Sequence, residues 1–230
     1  MNGIEAVKIN REEVLRYLGY RGQTLDEKTQ ALITQGIRDA EETARPRSQT
    51  KEFPLSFGQD GTIRLGETEV VLPGREIAVH LSGCRRCVLM AATLGAAIDS
   101  RIRTLQTADL TRALILDAVA SVLVEGVCNA LELELRTKIE GEGHALSGRF
   151  SPGYGDFPLS FQPKLLALLD SGRRMGLYCS EAFLMTPGKS VTAILGIQEG
   201  KEGCATPEKK GCGQCGRRED CAYRKEEKMV

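Results

Sequence analysis

The sequence has no net charge, since 31 Lys and Arg residues balance 31 Asp and Glu residues. The basic surface that marks a binder of nucleic acid or anionic membrane is therefore not expected. Long apolar runs are also missing. No window approaches 18 uninterrupted apolar residues, and the opening MNGIEAVKINREEV lacks the apolar core of a secretion signal. Neither membrane insertion nor export is expected, and the expected location is the cytoplasm. Histidine is scarce: His80 and His144 are far apart, each without a second histidine nearby, and no Gly-x-Ser-x-Gly elbow is present. Hydrolase catalysis has little to stand on. A phosphate loop is missing too. Pro187-Gly188-Lys189-Ser190 ends like one, but the pattern G-x-x-x-x-G-K-S needs glycine at 183, where Phe183 stands.

What is present is the composition of a globular protein of 230 residues, 41% hydrophobic and 27% charged, long enough for one main domain with appendages. Helix-start spacing at Asn10 with Glu13, and a capping box from Thr24 to Glu27, predict helices over residues 11–18 and 25–44, the second closed by Arg45-Pro46. From Lys51 to Gly95 the texture changes to short β-rich runs at 62–65, 69–72, 77–81 and 87–90, which predict a sheet. Asp109 then caps the apolar run ALILDAVASVLVEGVCNALELELRTKI, whose spacing fits a helix of about 30 residues, on the order of 45 Å. A further helix is expected over 163–171 and a strand over 190–197. The division that follows is a helical segment at 1–46, a main domain at 47–200 and a cysteine-rich tail at 201–230.

The most informative stretch is Arg149-Phe150-Ser151-Pro152-Gly153-Tyr154. Glycine lets backbone amides approach a ligand, proline pre-sets a turn, and a guanidinium holds a carboxylate through two parallel hydrogen bonds. The same residues also suit a plain surface turn. The pattern Arg-x-x-Pro-Gly-Tyr resembles the S-adenosylmethionine-binding turn of the reactivation (activation) domain of cobalamin-dependent methionine synthase. A second segment, Ser180-Glu181-Ala182-Phe183-Leu184-Met185-Thr186-Pro187-Gly188-Lys189-Ser190-Val191, is similar to that family's Thr-Glu-Ser-Phe-Ala-Met-x-Pro-Gly-x-Ser-Val.

The resemblance implies an α+β fold with an antiparallel sheet packed against a long helix, to which the sequence adds N-terminal helices and a metal-binding C-terminal tail. It also implies that Arg149, Ser151, Gly153 and Tyr154 bind S-adenosylmethionine. A glutamate on the long helix aligns with Glu125, and an acid before the Arg motif has Glu140 or Glu142 as counterparts, Glu142 being carried forward. Glu125 also reads as the solvated face of a helix. The family's late tyrosine contact has no counterpart, because the cysteine tail begins where it would lie.

Cys204, Cys212, Cys215 and Cys221 form C-x7-C-x2-C-x5-C, flanked by glycines. Four thiolates suit zinc or an iron-sulfur cluster, and the electron demanded by reactivation favours the cluster. Cys84 and Cys87 form a separate C-x-x-C with Arg85 and Arg86 between them, either a redox pair or two small residues in a turn. Cys128 and Cys179 read as packing residues.

The implied activity is support for reductive remethylation of cob(II)alamin. The chain has no Asp-x-His-x-x-Gly cobalamin-ligand motif, so the cobalamin is expected on a partner, a corrinoid-binding methionine synthase or methyltransferase. A flavodoxin or ferredoxin would supply the electron. The alternative is a non-catalytic S-adenosylmethionine-binding adaptor or a metal-stabilised redox module.

Overall fold

Residues 7–59, 61–66 and 68–200 are described by the structure, a computed structural model. Asn10 starts the first helix, α1 (Arg11–Tyr17), its side-chain oxygen accepting from the Glu12 and Glu13 amides at 2.9 and 3.3 Å. The second, α2 (Glu27–Thr43), begins two residues later than the Thr24 capping box predicts. Asp26, as good a cap as threonine, takes the Thr29 amide at 2.6 Å.

The chain then lays down β1 (Arg47–Phe57), β2 (Ile63–Leu65), β3 (Val71–Leu72), helix α3 (Arg75–His80) and β4 (Arg86–Thr93). Residues 77–81 are expected to be a strand, and the structure makes most of them helix. The reason is tertiary: the Asp156 carboxylate accepts from the Arg75 and Glu76 amides at 2.7 and 3.0 Å, capping α3 from 80 residues away. Two helices follow, α4 (Ala96–Ala108) and α5 (Leu110–Gly141), the latter capped by Asp109 as its sequence predicts. After β5 (His144–Leu146), the helix expected over 163–171 is split into α6 (Gln162–Leu168) and α7 (Ser171–Met175) by Asp170, whose φ of 52° leaves the right-handed helix. A hairpin of β6 (Tyr178–Cys179) and β7 (Met185–Thr186) precedes the long β8 (Ser190–Glu199).

The main sheet is antiparallel in the order β3-β2-β1-β4-β8-β5. Its central strands β4 and β8 are covered on both faces, which is why their residues form continuous buried runs and do not alternate with polar ones. On one face, Val88, Met90, Ala193, Leu195 and Ile197 pack with Val119, Leu123 and Val127 of α5, and Ile33 of α2 joins the same core. On the other face, Leu89, Ala91 and Ile194 pack with Ile77, Phe157, Phe161 and Leu165. A Cβ at Gly36 would come within 2.7 Å of Ile115, so its glycine allows α2 to lie close on α5. The α5 helix is long and apolar enough to cross a membrane by composition, but 61% of its apolar window is buried in this domain, which makes it a core helix.

Candidate functional site

The Arg149 segment owes its position to the sheet. Leu146 pairs with Ile197 as the last residue of β5, and the chain continues along β8: the Ser147 amide donates to the Gly196 carbonyl at 2.9 Å, and Phe150 forms a bridge with Ile194. Side chains in such an extended run alternate between faces. Arg149 accordingly reaches α5, while Phe150 joins the opposite core.

Three residues of α5 receive the guanidinium. Nη2 donates to the Asn129 side-chain oxygen at 2.7 Å and lies 3.3 Å from a Glu125 oxygen, while Nε lies 3.1 Å from Glu132. Glu125, Asn129 and Glu132 stand at i, i+4 and i+7, one stripe of the helix, and Arg136 continues it at i+11. Glu125 is visible from the sequence, whereas Asn129 and Glu132 are not, although they follow it at helical spacing on the same face. Glu142 is placed elsewhere. It caps the far end of α5, ten residues and about 15 Å beyond Glu132, and its carboxylate lies 4.0 Å from Lys138. Helix α1 closes the other side of Glu125: burial, and then the Glu125 charge, push the Tyr17 phenol above its ordinary range.

Beyond Arg149 the chain makes a tight, self-bonded turn. The Tyr154 amide donates to the Ser151 carbonyl at 3.0 Å, and the Gly153 and Phe157 amides close it onto Phe157 and Tyr154 at 2.8 and 2.9 Å. Gly153 has a φ of +93°, a conformation that side chains disfavour. Tyr154 meets Phe150 edge-on at 5.9 Å and is 57% exposed, so its ring is open to a ligand. Asp156 then docks on α3, and bonding the Arg75 and Glu76 amides holds its carboxyl below the ordinary 3.8. At the other end of α3, His80 lies 3.0 Å from the Ser147 hydroxyl and stacks tilted against Phe150 at 5.1 Å. The turn is thus braced at both ends by one short helix.

The second motif supports this arrangement from β8. Lys189 spans to α5, with Nζ 2.9 Å from both Asp117 and Ser121, and the buried Gln162 amide bridges Thr192 at 2.8 Å and the Met185 sulfur at 3.2 Å. These contacts fix the strand against which Phe150 pairs.

The remaining candidates differ in character. Cys84 and Cys87 are buried, and burial, then the neighbouring Cys84, pushes the Cys87 thiol far up. Arg85 and Arg86 each face a carboxylate, Glu199 at 3.3 Å and Glu52 respectively, and neither offsets the burial of the Cys87 thiol. Burial also raises the Cys128 thiol to about 12, with Arg149 opposing it. Thiols raised in this way, Cys87 and Cys128, stay protonated and unreactive near neutral pH. Cys204, Cys212, Cys215 and Cys221 lie outside the described residues, and among the described residues no group of three or more His, Cys, Asp or Glu side chains is placed to hold a metal. A cavity of about 580 Å³ lined by Phe57, Ile63, Ala78, Cys84 and Arg85 includes neither Arg149 nor its partners. The Arg149 side chain itself is 20% exposed, half-buried against its partners on α5.

No protein-family model matches the sequence, and no curated protein matches it. Among solved structures the chain is similar to the MetH reactivation domain in its crystal structure bound to AdoHcy, with a TM-score of 0.60 and 19% identity over 78% of this chain and 71% of that one. At that identity the likeness is one of architecture: an antiparallel sheet, a long helix across it, and the α+β fold of the MetH reactivation domain.

Proposed function

We propose that this chain binds S-adenosylmethionine at the Arg149 turn and supports reductive remethylation of cob(II)alamin carried by a separate corrinoid-binding methionine synthase or methyltransferase. The observation that carries the reading is the pairing of Arg149 with the Glu125 and Glu132 carboxylates, five residues along the chain from the exposed Tyr154 ring, in a fold shared with a domain bound to AdoHcy.

The residue chemistry suits the ligand. Its carboxylate matches the guanidinium, its ammonium matches the partly exposed Glu125, and the sulfonium is attracted to the face of Tyr154. Backbone groups at Ser151 and Gly153 lie in reach of the same turn. The arginine and the acid thus pair two of the three charges of the methyl donor and the tyrosine face takes the third, while the aromatic brace behind the turn fixes the position of the arginine. When the cobalamin substrate is presented, one electron from a flavodoxin- or ferredoxin-like donor reduces its cobalt, the sulfonium methyl is transferred, and S-adenosylhomocysteine is released. The protein contributes position, not a catalytic acid or base.

The test is calorimetric titration of the full chain with S-adenosylmethionine beside Arg149→Ala. Saturable binding that the substitution lowers at least tenfold, about 1.4 kcal/mol, supports the reading. A well-folded native chain that takes no ligand overturns it. The second reading, a metal-stabilised adaptor or redox module, draws on the C-x7-C-x2-C-x5-C spacing of Cys204, Cys212, Cys215 and Cys221. In the first reading, whose chemistry needs an electron, the tail is proposed to hold an iron-sulfur cluster in preference to zinc; stoichiometric zinc without iron or sulfide in anaerobically purified protein would exclude the cluster.

A further inference from the structure

Of the groups around Arg149, one is held differently from the rest. Glu132 is 20% exposed against 44% for Glu125, and both of its oxygens are engaged: Oε2 with Arg149 Nε at 3.1 Å and Oε1 with Arg136 Nη2 at 3.0 Å. Arg136 in turn donates through Nη1 to the Leu146 carbonyl at 2.8 Å, three residues ahead of Arg149 on the same strand-like run. These bonds close a circuit from the helix to β5, along the chain to Arg149, and back to the helix.

A guanidinium is planar, so pinning its Nε–H fixes the plane in which the Nη nitrogens lie, and a carboxylate is recognised bidentately only when that plane is correctly set. Glu125 approaches Nη2, a nitrogen that Asn129 already holds at 2.7 Å, from the longer distance of 3.3 Å and from a more exposed position. It is the member free to turn towards an incoming cation.

We infer that Glu132, fixed by Arg136, is a positioning residue that sets the plane of Arg149 for a ligand carboxylate, while Glu125 is the exchangeable acid that meets the ligand ammonium. This division of labour rests on the function proposed above. It assigns different parts of one amino-acid headgroup to two glutamates on the same face of α5.

Decarboxylated S-adenosylmethionine, which keeps the ammonium and sulfonium but lacks the carboxylate, separates the two roles. With the full chain, Glu132→Gln is expected to lower affinity for S-adenosylmethionine about tenfold and to leave affinity for the decarboxylated analogue within about twofold. Glu125→Gln is expected to weaken both ligands, since both carry the ammonium. Equal loss of both ligands in Glu132→Gln, or loss of neither, overturns the assignment. A readout independent of ligand runs beside it: the Arg149 Nε–H signal in ¹⁵N-labelled protein, identified by its disappearance in Arg149→Lys. Protection of that proton from solvent exchange should be lost in Glu132→Gln and kept in Glu125→Gln, and its persistence in Glu132→Gln refutes the positioning role. If the native chain binds neither ligand, the proposed function fails, and the Nε–H signal still decides whether Glu132 sets the arginine.

Discussion

The two sides of the run from Leu146 to Phe157 have opposite chemistry. Towards α5 it presents Arg149 to a stripe of Glu125, Asn129 and Glu132, charged and partly open to solvent. Towards α3 and α6 it presents Phe150 and Phe157, with ring centroids 6.2 Å apart and Phe161 another 5.0 Å beyond, in a closed core. The difference follows from the two-residue period of extended chain. One side carries the proposed recognition and the other immobilises, so a guanidinium that is 20% exposed keeps a defined position on the face of α5. Rigidity that an enzyme cleft obtains by enclosure is here obtained from behind.

That comparison breaks most visibly at Phe157, which is fully buried. Phe157→Ala removes a fully buried aromatic side chain behind the turn and is expected to cost about 3–5 kcal/mol of stability, read as a lower urea midpoint at unchanged slope. A loss below about 1 kcal/mol would mean that the aromatic side does not carry the turn. A smaller effect is expected at Gly155, whose φ is +52° and whose Cβ would enter the Glu76 carboxylate on α3. Gly155→Ala should cost about 1–2 kcal/mol through backbone strain, and should speed hydrogen exchange in α3 and the turn while leaving α5 protected. If exchange accelerates along α5 as well, the two sides are not independent.

Local signals carried much of this fold, and non-local ones did not. The long helix is readable because Asp109 and the apolar run sit next to each other in sequence, and the Arg149 turn because its proline, glycine and tyrosine lie within six residues. The strand β1 is hard to see: it is exposed or half-buried at every position except Phe53, so it lacks an alternating apolar pattern, and it also contains Pro54. For α4, the helical spacing of Ile98, Ile102 and Leu105 is present in the sequence, but Gly95 stands at its start and no side chain caps it. The strand-like Ile77-Ala78-Val79-His80 became a helix because Asp156 caps it, a contact no local window contains. The same holds for the site. Arg149 is visible alone, but Asn129 and Glu132 gain meaning only when β5 folds back along α5 and brings them within hydrogen-bonding distance.

The gentlest way to separate the two sides is pH, acting on His80. Burial holds its imidazole below the ordinary value of 6.5, opposed only by the Gly148 carbonyl. The unfolded chain therefore takes up a proton at a higher pH than the folded chain does. Between those two values the unfolded state binds more protons, so stability rises with pH and falls as the solution is acidified below about 6.5. Above that value the neutral ring keeps its contacts with Ser147 and Phe150 at no electrostatic cost. Thermal melts of the native chain should show the decline on acidification from pH 7 towards 5, and His80→Gln, which cannot take the charge, should flatten it in that window. Because His80 touches the braced side and not the guanidinium, the Arg149 Nε–H signal should stay protected through the upper part of the same titration. Loss of that signal in step with His80 protonation would show that α3 and α5 hold the turn as one unit, and that the division between bracing and recognition is not energetic.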